Sequence, residues 1–208
     1  MARNYVQTLF TDDARALQAE DGSREAYARM EEGADGSPDQ LGEKEASFIA
    51  LRDSFYLASV TSKGWPYVQH RGGPAGFLKL LDGNRLGFAD YRGNRQHVST
   101  ANLIADPRVS LFLMDYPNRR RLKLLGGARI VTAAEDPALI AALMPPGYKA
   151  LAERAYVIEV EGFDWNCPQH ITPRFTEAEI ASAIQPLHAQ IDRLRAELAA
   201  LRGTPEGE

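Results

Sequence analysis

The sequence predicts a mainly β protein: an antiparallel barrel with helices attached at both ends. Three observations carry this. Between Ser54 and Gly162 roughly six runs read as strands, some joined by tight turns. Only two short helical runs interrupt them, whereas a doubly wound sheet needs a helix after nearly every strand. The segments on either side have helical rather than strand character.

Residues 1–53 form the first zone, a polar helical segment expected to pack on the barrel. Asp12 and Asp13 open a helix through Glu20, Ser23 can cap a second from Arg24 to Glu32, and Gly33 to Pro38 is loop. Gly42 to Arg52 reads as a third helix, with Ala46, Ile49 and Ala50 on one face.

The barrel domain is expected over residues 54–175. Phe55–Thr61 and Tyr67–Arg71 are strands around a Ser62-Lys63-Gly64 turn. Phe77–Leu81 and Arg85–Ala89 flank Asp82-Gly83-Asn84, a hairpin turn whose residues tolerate positive φ. His97–Ala105 reads as a short helix ending before Pro107. Val109–Met114, Leu122–Thr132 and Tyr156–Glu161 complete the strands, with a helix at Ala134–Leu143. Residues 176–203 are the third zone. Ile180, Ile184, Leu187, Ile191, Leu194, Leu198 and Leu201 alternate spacings of four and three, which is a heptad seam. Pro186 is a blemish in it. Such a helix either lies on the barrel or pairs with a partner subunit. Gly203 to Glu208 reads as a frayed tail.

The formal net charge of -4 gives no overall field for nucleic acid or an anionic membrane. The lone cysteine, Cys167, excludes an intramolecular disulfide. No cationic region followed by an apolar run opens the chain, and no stretch has the length of a membrane span. The expected location is the cytoplasm.

Four stretches could carry chemistry. In Gln69-His70-Arg71-Gly72-Gly73-Pro74 a strand runs into paired glycines, which would let backbone approach a flat ligand beside the Arg71 cation. The alternative is a β-bulge and turn with a surface arginine. Ala89-Asp90-Tyr91-Arg92-Gly93-Asn94-Arg95-Gln96 follows a strand and opens a helix. Helix N-termini attract phosphate, and Arg92 and Arg95 could add charge-assisted bonds. An ordinary strand-to-helix loop with solvated arginines is equally open. Neither GxxxxGK[ST] nor GxGxxG occurs, which excludes a P-loop and argues against a dinucleotide-binding fold. Arg119, Arg121 and Lys123 fall on one strand face and read as solvated. Trp165-Asn166-Cys167-Pro168-Gln169-His170 holds two ligand types, too few for a metal site, so no metal is expected.

The order and spacing of GWPYVQHRGG, DGNRLGFADYRGNRQH, ADPRVSLFL, RRRLKLLGGARI and the Asp164–His170 segment resemble the pyridoxamine 5'-phosphate oxidase-like flavoproteins. The similarity is greatest to their branch of flavin-nucleotide-binding proteins of unassigned activity. The resemblance implies a split barrel, an obligate homodimer and one flavin mononucleotide (FMN) at each subunit interface. It places Gln69, His70, Arg71, Gly72 and Gly73 along the flavin. It matches Gly93-Asn94-Arg95-Gln96 to the family's phosphate-binding Gly-Ser-Arg-Lys, with Ala89 and Asp90 just upstream. A later flavin-contacting glutamine, counted back from Gly126, falls at Arg121. Asn94 and Gln96 depart from the family's serine and lysine, so Arg71, Arg95 and Arg121 become the candidates for phosphate charge.

The implied function is an FMN-dependent oxidoreductase acting on a small organic substrate. No catalytic residue is assigned, since a flavin does the electron chemistry and the protein orients it. The segment Gly72–Gly76 replaces a continuous apolar strand of the true oxidases, and their C-terminal Arg-x-His element is not visible. The vitamin B6 oxidase activity is therefore not carried over. Alternatives are a flavin-binding carrier or sensor without turnover, a haem-binding split barrel using His70, and a dimeric interaction protein.

Overall fold

The structure, a computed structural model, describes residues 3–203. Of the expected tail from Gly203 to Glu208, residues 204–208 lie outside the described residues, as do residues 1–2. Four helices come first: α1 (Arg3–Leu9), α2 (Asp12–Glu20), α3 (Arg24–Glu31) and α4 (Glu43–Ala50). Then follow β1 (Ser54–Val60), β2 (Pro66–Gly72), β3 (Lys79–Asp82), β4 (Arg85–Tyr91), α5 (Val98–Ala105), β5 (Arg108–Asp115) and β6 (Arg120–Thr132). The chain continues through α6 (Pro137–Leu143), β7 (Ala152–Trp165) and α7 (Glu177–Gly203).

The seven strands form one sheet in the order β2-β1-β5-β6-β7-β4-β3, antiparallel at every pairing. The sheet curls into a split barrel and does not close on itself through backbone bonds, leaving β2 and β3 as edges. Alternation of period two sends one face of each strand inward. Phe55 and Leu57 of β1, Leu111 and Leu113 of β5, and Leu122 and Leu124 of β6 meet Leu86 and Phe88 of β4 and Tyr156 and Ile158 of β7 in the core. The Phe88 ring stacks on Tyr156 at 4.9 Å and meets Phe55 edge-on at 5.3 Å. Phe48 and Ile49 of α4 join this core. On the outer face α6 covers Ala89, Val131, Ala155 and Val157 with Ile140 and Leu143.

Helix α1 was not foreseen. The buried Asp39 carboxylate accepts the Asn4 and Tyr5 N–H groups at 2.9 and 3.0 Å, and the Phe163 N–H at 3.2 Å. It lies close on β7, where a Cβ at Gly162 would come within 2.8 Å of the Tyr5 backbone. The Asp82-Gly83-Asn84 turn forms as expected, and the Asn84 amide donates to the Asp39 and Val160 carbonyls at 2.7 Å each. Phe77 and Leu78 are core residues but precede β3, so that strand is shorter than the apolar run. Strand β7 is longer than its apolar centre, because its polar ends also pair with β4 and β6. No helix among the described residues is long and apolar enough to cross a membrane.

Candidate functional site

Alternation on β2 turns Tyr67, Gln69 and Arg71 toward the barrel seam and leaves Val68 and His70 on the outer face. The sheet order sets β2 five strands away from β4. The curl brings them together, and Arg71 spans the seam. Its Nη1 donates to Asp90 Oδ1 at 2.7 Å, and its Nη2 to the Tyr156 hydroxyl at 3.3 Å. The Tyr156 hydroxyl shares a second hydrogen bond, 2.9 Å, with Thr100 on α5. Arg154, opposite Asp90 in the ladder, approaches the other carboxylate oxygen at 3.3 Å.

This cluster floors a cleft of about 290 Å³ bounded by β2, β4, the 92–97 loop, the start of α5 and the first residues of β7. Gln69 accepts from Ser99 Oγ at 2.6 Å. Arg92 and Arg95 donate to one oxygen of Glu153, at 2.7 and 3.3 Å. The Arg92 hydrogen bond foremost, with the Arg92 and Arg95 charges and a hydrogen bond from Arg154, holds the Glu153 carboxyl below the usual range. Asn94 Oδ1 accepts the Gln96 N–H at 3.2 Å, an Asx turn that tightens the loop. Arg95 and His97 are both left-handed, with φ of 58° and 56°, which costs non-glycine residues energy and clusters at binding sites. His97 places no side-chain cap on α5, so the first turn of that helix faces the cleft with backbone donors to offer. Two buried polar atoms here have no partner among the described residues, Arg71 Nε and the Tyr91 hydroxyl. Both residues line the cleft.

Arg71, Asp90, Tyr91 and Gly93 also line a second cleft of about 220 Å³, so the Arg71–Asp90 pair stands between two hollows. Of the residues expected at the site, Gln69, Arg71, Asp90, Asn94, Arg95 and Gln96 line the first cleft, and His70, Gly72 and Ala89 the second. Gly73 lines neither: it packs on Phe77 and donates its N–H to Asp53. Arg121 also lines neither. It sits on β6 opposite Met114, with its guanidinium 5.9 Å from the Phe112 ring and its Nε buried without a partner among the described residues. Tyr91, inside the Ala89–Gln96 stretch, lines the first cleft as well, and Tyr67, Ser99, Thr100, Glu153, Arg154 and Tyr156 line it without having been singled out in the sequence. Alternation from Gln69 and Arg71 points to Tyr67. Glu153 and Arg154 carry no such signal, because they precede the apolar part of β7.

Burial pushes the Asp90 carboxyl above its usual range, and Arg71 and Arg154 offset only part of this. The raised value means that the ionised group costs the folded state more than the unfolded chain. Its stabilising contribution is complete below about pH 4 and is lost as pH rises through the folded value. The stability of the wild type relative to Asp90→Asn is therefore expected to fall between about pH 4 and pH 7 in urea titrations. A difference that grew with pH would show a carboxylate stabilised in its charged form.

The chain is thus an antiparallel split barrel with an arginine-lined, ion-paired cleft at its seam. The model of the family described as pyridoxamine 5'-phosphate oxidase matches residues 41–161, more than half of the chain, and the chain belongs to that family. No curated protein matches it. Solved structures of similar fold include HupZ from Group A Streptococcus, at 16% identity, covering 65% of this chain and 99% of that one, TM-score 0.48. General stress protein 26 from Bacillus anthracis has 16% identity, with coverage of 64% and 95% and TM-score 0.46. An FMN-binding protein from Syntrophomonas wolfei has 10% identity, with coverage of 60% and 85% and TM-score 0.45.

Proposed function

We propose that this protein binds FMN as a homodimer and uses it to oxidise or reduce a small organic molecule. The observation that carries this reading is the pair of buried donors without a partner among the described residues, Arg71 Nε and the Tyr91 hydroxyl, in an arginine-lined cleft beside the uncapped start of α5. A buried donor without a partner costs about 1–3 kcal/mol, and a polar anionic ligand removes that cost. The residues fit such a group: Arg92 and Arg95 are held by a carboxylate that a phosphate can replace, and Gln69 and Ser99 add polar groups. When bound, FMN supplies the electron and hydride chemistry. The chain's part is to hold the dianion, fix the ring system and exclude water from it.

The homodimer reading rests on the outer face of β2, β1, β5 and β6. Val68 and Tyr56 are 60% and 40% exposed there, in line with Phe112 and Met114. An apolar sheet face left open in one chain is what a subunit interface covers. The vitamin B6 oxidase reaction is not part of the proposal, since α7 occupies the C-terminal end where the true oxidases carry their Arg-x-His element.

The test is the absorbance spectrum of purified protein, followed by mass spectrometry of the released cofactor. Flavin bands and released FMN are expected. A colourless protein that takes up no added FMN overturns the proposal. In Arg95→Ala, FMN affinity is expected to fall by about 1–3 kcal/mol, toward the lower end because the guanidinium is more than half exposed. Alanine keeps a Cβ in the same left-handed backbone, so fluorescence titration of this variant reads the lost cation rather than altered strain.

A further inference from the structure

We infer that α7 forms a parallel, in-register, two-stranded coiled coil with the same helix of a second copy of this chain. The helix does not lie on the barrel. Ile180, Ile184, Leu187, Ile191, Leu194 and Leu198 are each between 38% and 57% exposed, and every neighbour from Glu177 to Arg202 is exposed too. A continuous apolar seam in water on a long helix is an association surface.

The sequence of the seam selects the occupant. With Leu187 and Leu194 at d, the a positions are Ile184, Ile191 and Leu198. Across the two central heptads, Ile184 and Ile191 at a with Leu187 and Leu194 at d favour two parallel strands; the outermost positions, Ile180 at d and Leu198 at a, do not add to this preference. The flanking charges select the orientation. The e positions are His188, Arg195 and Arg202, and the g positions include Gln190 and Glu197. In a parallel pair each g faces the e of the partner's next heptad, which sets Glu197 against the partner subunit's Arg202 and Gln190 against the partner subunit's Arg195. An antiparallel pair would set arginine against arginine along the e edge, a like-charge contact that disfavours it. Glu197 is available for this, because within its own helix it reaches Arg193 only at 3.8 Å. Pro186 lies within the continuous helix Glu177–Gly203 and falls at c, so its ring is not one of the seam contacts.

The seam from Ile180 to Leu198 is only about 27 Å long at 1.5 Å per residue, and a coiled coil of that length is marginal when isolated. Two barrels already paired would hold the helices at about millimolar effective concentration. A parallel pair has its two-fold axis along the helices, so it shares one axis with a symmetric barrel dimer. This last step rests on the homodimer proposed above.

The test uses the full chain with Cys167→Ser and one new cysteine at a time: Leu187→Cys, Leu194→Cys, or Ala189→Cys on the outer f position. Under mild oxidation both d-position variants are expected to form covalent dimers at least about tenfold faster than the f-position control, since a disulfide needs Cα atoms within about 7 Å. Crosslinking at neither d position, at only one, or equally at Ala189 overturns the inference. Sedimentation and flavin content of the same samples separate the two proposals. An FMN-bearing dimer without d-position crosslinks removes the coiled coil and leaves the flavin reading. Crosslinked protein that binds no FMN does the reverse.

Discussion

Gly126→Ala is expected to destabilise the protein by about 4 kcal/mol or more, while Gly127→Ala, one residue on, changes stability by no more than about 0.5 kcal/mol. Strand β7 carries an extra residue, Glu161, opposite the Leu125–Gly126 step of β6, and crosses there so closely that a Cβ on Gly126 would stand 2.2 Å from the Glu159 carbonyl oxygen. That neighbour is backbone and no rotamer change relieves the contact. Either β6 or β7 must shift, and β6 is laddered to β5 on its other side, so the shift disturbs two pairings. At Gly127 an added Cβ meets nothing within 4 Å. Both changes cost the unfolded chain the same conformational freedom, so their difference isolates the close approach. Thermal unfolding is expected to separate the variants by about 10 °C. Equal midpoints would show that the bulge relaxes at little cost.

Most of the sheet was legible because its signals are local. Each strand core carries alternating apolar residues, and Asp82-Gly83-Asn84 marks the hairpin whichever strands lie around it. Helix α1 was not legible for the opposite reason. Its cap is Asp39, more than thirty residues along the chain, and no local pattern announces a carboxylate arriving from a distant loop. The site divides in the same way. Arg71, Asp90 and Arg95 lie in stretches whose glycines and turn residues stand out in sequence. Tyr156, Glu153 and Arg154 reach the cleft only because the sheet curls until β7 and β4 face β2. Tyr156 reads as an ordinary core aromatic, and only the fold shows its hydroxyl between Arg71 and Thr100. The exposure of α7 was likewise open: the heptad pattern was plain, but whether the barrel covered it depended on where the chain leaves β7.

Arg71→Met is expected to lower stability by about 3–5 kcal/mol, and Arg71→Met/Asp90→Leu to recover most of that loss without recovering FMN affinity. The two side chains are 13% and 15% exposed and 2.7 Å apart. Removing the arginine alone strands the carboxylate in a poorly solvated seam, with only Arg154 at 3.3 Å to hold it. Replacing both with apolar groups removes the stranded charge, and Arg154 keeps Glu153 at 3.3 Å. The raised Asp90 value adds a signature: the penalty of the single variant shrinks in acid, where the carboxyl takes up a proton rather than remain an unpaired anion. Denaturant titrations at about pH 4 and pH 7 read this directly. FMN titration of the double variant then separates the roles of Arg71. Affinity still reduced by about 2 kcal/mol in a protein of near-normal stability makes the guanidinium a ligand group in its own right. Affinity restored together with stability makes it a seam clamp only, and the phosphate charge then falls to Arg92, Arg95 and the start of α5. A single variant as stable as the wild type would mean that water reaches the seam and that Asp90 and Arg71 do not depend on each other.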